Sequence, residues 1–260
     1  TDVMYLLRSD LISRSVTIQT DLDTGLPEVE GDHVQLQQVL LNLLINATQA
    51  MPEGGTLTRS VFTQHNDMVD AKKPFVLLDQ SSERVYTAQT GLIGGNFPTH
   101  KSAMRFSGEK SLKDGQNELT LRFESDVQNG VKLVKTYTLH RGSYVIGVKH
   151  EVVNTGTAAV SPQLYLQLVR DGNKPAGESS FYSTFTGPAI YTEAKKYQKV
   201  EFADIKKKKV DVEKQSNTGY IAMVQHYFAS AWILPDGMSR DISIDAVDIG
   251  STMADCCYRV

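Results

Sequence analysis

The sequence predicts a mainly β chain, an antiparallel β-sandwich preceded by a short α/β N-terminal piece. Three observations predict it. From about Leu57 to Leu234 apolar residues recur with period two, as in Leu119, Leu121 and Phe123 against Thr120, Arg122 and Glu124. Turn signals punctuate these runs: Asp114-Gly115, Asn129-Gly130, Arg141-Gly142, Asn154-Thr-Gly156 and Asp171-Gly-Asn173. Regularly spaced short strands between such turns argue antiparallel pairing in a sandwich. Before residue 56 the period is instead helical.

In chain order, Leu6, Leu7, Leu11 and Ile12 suggest a first helix, and Val16 to Thr20 a short strand. Asp32 followed three residues later by Gln35 is a capping box, because an Asp side chain can accept from first-turn amides. Leu36, Val39, Leu40, Leu43, Leu44, Ala47, Ala50 and Met51 then make one apolar helix face, which Pro52 and Gly54-Gly55 end. In the β region, Tyr144, Ile146 and Val148 share one strand face, and Leu164, Leu166 and Leu168 another. Lys206 to Lys209 is the only charge run and reads as a solvated loop or strand edge. Met238 to Val260 fits neither neighbouring pattern.

Composition narrows function little. A net charge of -3 gives no whole-chain argument for nucleic acid or an anionic membrane. The longest apolar run, Val39 to Ile45, contains Asn42 and is too short to span a bilayer. No basic segment followed by an apolar stretch opens the chain, so the expectation is a soluble piece without a signal or membrane segment. The only cysteines, Cys256 and Cys257, are adjacent; the peptide between them would have to distort to form a disulfide.

Several separated motifs carry more. They include Phe75 to Asp79, Tyr86-Thr-Ala-Gln-Thr-Gly-Leu-Ile-Gly-Gly-Asn-Phe-Pro98, Gly115 to Leu119, Lys135-Thr-Tyr137, Phe185-Thr-Gly-Pro-Ala189, Lys196 to Val200, and Ala222 to Trp232. In order and spacing this set closely resembles the large periplasmic domain of the YidC family of bacterial membrane protein insertases. The resemblance covers roughly 165 residues. It implies a β-supersandwich of galactose-mutarotase-like shape that makes contacts and does no chemistry. It also implies Sec translocon components and membrane protein substrates as partners, and the periplasmic side of the bacterial inner membrane as location. Cofactors and nucleic acid are not expected.

A mutarotase-type site would need a general acid facing a general base across a sugar pocket. His100, His140, His150, Glu151 and His226 are the candidates by type, and none lies in a motif that fixes a pair. Tyr227, Phe228 and Trp232 read as core packing, with a hydrophobic cleft as the alternative. A carbohydrate-binding sandwich is thus a third reading.

The N-terminal run resembles another family. Leu26-Pro27, Gly31-Asp32 and Gln35 to Met51 with Pro52-Glu-Gly-Gly-Thr56 look like the asparagine box of sensor histidine kinases. Asn42 and Asn46, four apart, project from one helix face. The resemblance implies a cofactor role for both with Mg-ATP, Asn46 helping to hold the magnesium; an amide oxygen suits that hard cation. The rest of the kinase ATP site is missing. The division expected is therefore 1–58 kinase-like, 59–237 a truncated insertase-like sandwich and 238–260 a tail of unknown origin. The whole reads as a mosaic with its seam around Gly54-Gly55-Thr56-Leu57, and a sandwich lacking terminal strands is expected to aggregate at its open edges.

Overall fold

Period-two patterning becomes sheet throughout the part of the chain that the structure, a computed structural model, describes: residues 56–259 apart from 58, 68, 82–83, 176–183, 226 and 250–251. The helices and strand expected before residue 56, with Asn42 and Asn46, lie outside the described residues, as does His226.

The organising strand is β4 (Val85–Ile93), the first half of the longest motif. It pairs antiparallel from Tyr86 to Ile93 with β9 (Gln163–Arg170). Its other side takes β3 (Pro74–Gln80) and β1 (Thr56–Leu57), so the expected seam residues Thr56 and Leu57 lie in register with Gln89 and Ala88. The sheet continues through β2 (Ser60–Asn66) at one edge; at the other are β17 (Thr252–Arg259) and β16 (Ser243–Ile249). The segment after Met238 thus adds strands to this seven-stranded sheet.

A second sheet is a meander of β5 (Met104–Gly108), β6 (Glu118–Ser125), β7 (Val131–His140) and β8 (Ile146–Asn154). Its hairpins turn where the sequence signals them: Asn129 and Gly130 have φ of 48° and 75°, and Gly142 has φ of 75°. Tyr144 is a correction. It precedes β8 in the hairpin loop instead of sharing the strand face of Ile146, because the Arg141-Gly142 turn takes up more chain than a two-residue hairpin.

The third sheet has the order β11–β10–β13–β14, from β10 (Thr186–Thr192), β11 (Lys196–Lys199), β13 (Tyr220–Gln225) and β14 (Phe228–Ile233). A two-stranded ribbon joins β12 (Gln215–Ser216) to β15 (Arg240–Asp241). Among the described residues the only helix is α1 (Phe202–Lys206), anchored by buried Ile205. The antiparallel β-sandwich expected from the sequence is what these residues form.

The family-like motifs hold the sheets together. Tyr86, fully buried, donates its hydroxyl to the Met223 carbonyl at 3.1 Å and is hydrogen-bonded to Ser230 Oγ. Arg84 donates to Gln225 Oε1 at 2.9 Å and to the carbonyls of Val76 and Leu77. Arg84 and Arg170 sit 5.9 and 5.3 Å from the Tyr86 ring centroid, cations over a π-face. Burial raises the Tyr86 pKa, despite the Ser230 hydrogen bond and the two arginines, so the hydroxyl stays a donor. Around this seam Phe75, Leu77, Leu78, Ala88, Leu168, Val200, Ile205 and Met223 form the main core.

Gly91 explains why the motif carries glycine inside a strand. A Cβ there would lie 2.6 Å from Tyr165 Oη and 2.7 Å from the His100 amide nitrogen. Four residues on, the chain bends back so that Leu92 N donates to Pro98 O at 2.9 Å. That bend sends Phe97 into a second core with Leu92, Val131 and Leu133.

Candidate functional site

The candidate acid–base residues divide between two faces of β4. Lys135 and His150 are direct cross-strand partners on β7 and β8, so they share a face. Both reach Thr90 of β4: Lys135 Nζ donates to its carbonyl, and His150 Nε2 lies 2.9 Å from its hydroxyl. His100 sits against the neighbouring Gly91, its amide donating to Tyr165 Oη at 2.9 Å and its Nδ1 bonded to the same hydroxyl. Consecutive strand residues face opposite ways, so β4 stands between the two histidines.

Burial governs the electrostatics here. It lowers Lys135 to about 7. It also lowers His150 to about 4, helped by the Lys135 charge, and His100 to about 4, helped by Lys101 and Lys135. Tyr137, next inward-facing residue along β7, is pushed up to about 12 by burial. Uncharged histidines and a half-charged lysine suit a polar clasp between two sheets.

Glu151 follows His150 and faces away from the clasp, 3.4 Å from Arg122 and 3.3 Å from Lys149. His140 lies at the exposed end of β7, 3.7 Å from Glu118. The structure therefore brings His150 to Lys135, not to Glu151, and joins none of the described histidines to the candidate base across a pocket. Lys135 was visible in the sequence only as part of a family-like motif; its burial was not, because lysine is seldom found inside.

A different surface gathers aromatic residues where all three large sheets meet. Phe62 and His65 come from edge strand β2, Phe75 from β3, Phe228 from β14, and Tyr144 from the β7–β8 loop. Phe75 stacks on Phe228 with centroids 3.8 Å apart, Phe62 lies 5.2 Å from Tyr144, and His65 Nε2 is 3.0 Å from Tyr144 Oη. Beside this cluster the loop presents Tyr144 and Val145 at 65% and 74% exposure, and Ile146, the first residue of β8, is 42% exposed. Of the three aromatic residues singled out in the sequence, Trp232 packs in the core and donates to Gln167 O at 3.2 Å. Phe228 joins the junction, and Tyr227 is 84% exposed at the β13–β14 turn. The core reading holds for Trp232 and fails for Tyr227, because the hairpin turns at that residue and leaves its ring outside the sheet.

Residues 39–257 match the YidC periplasmic domain family. Among curated relatives named membrane protein insertase YidC, that of Burkholderia thailandensis is 48% identical over 196 residues, covering 75% of this chain and 35% of that protein. That of Janthinobacterium sp. strain Marseille is 50% identical over 190 residues, covering 72% and 33%, respectively. That of Burkholderia cenocepacia is 43% identical over 224 residues, covering 85% and 40%. The chain spans little more than a third of the length of these relatives. The kinase resemblance of residues 1–58 and the mosaic gain no support from these matches, since the family match begins at residue 39 and crosses Asn42, Asn46 and the expected seam. No helix among the described residues is long and apolar enough to cross a membrane. The chain belongs to the YidC periplasmic domain family.

Proposed function

We propose that the chain serves as a non-catalytic contact module of a membrane protein insertase, on the periplasmic side of the bacterial inner membrane. Its partners in this reading are Sec translocon components and membrane protein substrates, and it uses no cofactor. The observation that carries the contact role is the β7–β8 loop, where Tyr144 and Val145 are largely exposed beside an aromatic cluster fed by three sheets. Exposed apolar residues on a rigid aromatic base suit protein recognition, since little side-chain entropy is lost on docking. The half-buried His100 and His150 and the buried Lys135 act in this account as clasp residues. A photo-crosslinking residue at position 145, in a complete membrane-embedded insertase carrying this domain, tests the reading. Crosslinks to translocon subunits or nascent membrane proteins are expected from position 145 and not from Lys149, an exposed position on β8. Equal crosslinking from both sites, or none from position 145, contradicts it.

A further inference from the structure

The outer face of the β11–β10–β13–β14 sheet carries a row that the contact reading does not use. Direct cross-strand partners share a face, and here Tyr197 pairs with Tyr191, Tyr191 with Tyr220, and Tyr220 with Ile233. One apolar row thus crosses all four strands. Tyr191 and Tyr220 stack with centroids 5.6 Å apart, while the ends of the row, Tyr197 and Ile233, are 47% and 74% exposed. The adjoining positions on β14, Ala229 and Ala231, are exposed too, whereas Phe228, Ser230 and Trp232 turn inward. Among the described strand residues on this face Lys199, the register partner of Ala189, is the charged one, and Glu193 just beyond β10 accepts from the Tyr191 hydroxyl at 3.3 Å.

Its charges are gathered at the β11 side. Residues 195–214 hold eight lysines against four acidic residues, in a chain whose net charge is -3. Lys195 and Lys196 precede Tyr197 and are paired with Asp211 and Glu193, and Lys199 Nζ lies 5.1 Å from the Phe185 ring. α1 follows β11 after two residues and is anchored by Phe202 and Ile205 on the main core, and Lys199, Phe202 and Ala203 line one pocket. At its end Lys207, Lys208 and Lys209 are exposed on a turn held by amide hydrogen bonds to Ala203, Ile205 and Asp204. Lys208 makes the turn with φ of 55°.

Tyrosines with small apolar residues, bordered by fixed lysines, are the chemistry of a surface that rests at headgroup level. Tyr places an apolar ring and a polar tip across the interface, and lysines are drawn to anionic lipid. We propose that this sheet face lies on the surface of a bilayer rich in anionic phospholipid, the β11–α1 lysines meeting its phosphates and the tyrosine row its interfacial zone. This rests on the reading of the chain as a module of a membrane-embedded insertase, which would hold it near a bilayer.

Co-sedimentation of the purified chain with vesicles tests the proposal without calling on insertase activity, so its failure leaves the crosslinking result untouched. Vesicles of phosphatidylglycerol mixed into phosphatidylcholine are compared with phosphatidylcholine alone. Binding is expected only with the anionic lipid and should weaken at high salt. The triple variant Lys207→Gln, Lys208→Gln, Lys209→Gln should weaken it at least about tenfold. Tyr197→Ser with Ile233→Ser, which alters exposed sites alone, should weaken it as well. Equal binding to both vesicle types, no binding to either, or undiminished binding by the lysine variant overturns the proposal.

Discussion

Replacing Tyr86 with alanine is expected to destabilise the folded chain by about 3–5 kcal/mol, the range for emptying a buried aromatic site. The side chain is wholly buried, and its hydroxyl ties β4 to β13 and β14, across as many as 144 residues of sequence. Tyr86→Phe separates the two contributions. It keeps the ring beneath Arg84 and Arg170 and removes only the hydroxyl, so a loss of about 1–2 kcal/mol is expected. Urea denaturation followed by tryptophan fluorescence reads both, since Trp232 lies on the strand that carries Ser230. A Tyr86→Phe loss as large as that of Tyr86→Ala would show that the ring contributes nothing.

The second large effect is a pH dependence. The Lys135 pKa falls from an ordinary 10.5 to about 7 on burial, so between those values the unfolded chain binds more protons than the folded one. Stability then rises with pH across this window, is lost as pH falls towards 7, and is flat with respect to this group below it. Between about pH 7 and 9.5 the gain is about 3 kcal/mol, before tyrosine ionisation intervenes. His100 and His150, both lowered from 6.5 to about 4, act in a lower window: stability they contribute above about pH 6.5 is lost as pH falls towards 4. Lys135→Met should abolish the alkaline gain and leave the acid loss in place. Midpoints of urea denaturation collected from pH 4 to 9.5 check both (these bounds being about the two windows). A Lys135→Met protein that still gained stability between neutral and alkaline pH would contradict the assignment.

How much could be read from the chain depended on range. Period-two alternation and glycine turns are local signals, so β6, β7 and their Asn129-Gly130 turn were legible. The need for glycine at position 91 was not, because only the fold shows Tyr165 and His100 closing on Gly91. The clasp of Lys135 and His150 on Thr90 depends on two sheets meeting, which no spacing in the sequence encodes. The tyrosine row was hidden for the same reason. Tyr191, Tyr197 and Tyr220 look unrelated until register aligns them. The segment after Met238 lacked a familiar pattern, yet Cys256 and Cys257 pair by backbone with Arg170 and Val169 of β9. Family-like motifs compensated in part, because they mark the places where distant strands lock together.

That the domain works by contact through its β7–β8 loop is tested most directly by Val145→Asp in a complete membrane-embedded insertase carrying this domain. Val145 is 74% exposed, so the substitution should change stability by no more than about 0.5 kcal/mol. Recovery of translocon subunits with the detergent-solubilised protein, measured beside its melting temperature, gives the answer. The account predicts an unchanged melting temperature and a clear loss of co-purified partner. Full recovery of partner by the Val145→Asp protein would contradict it.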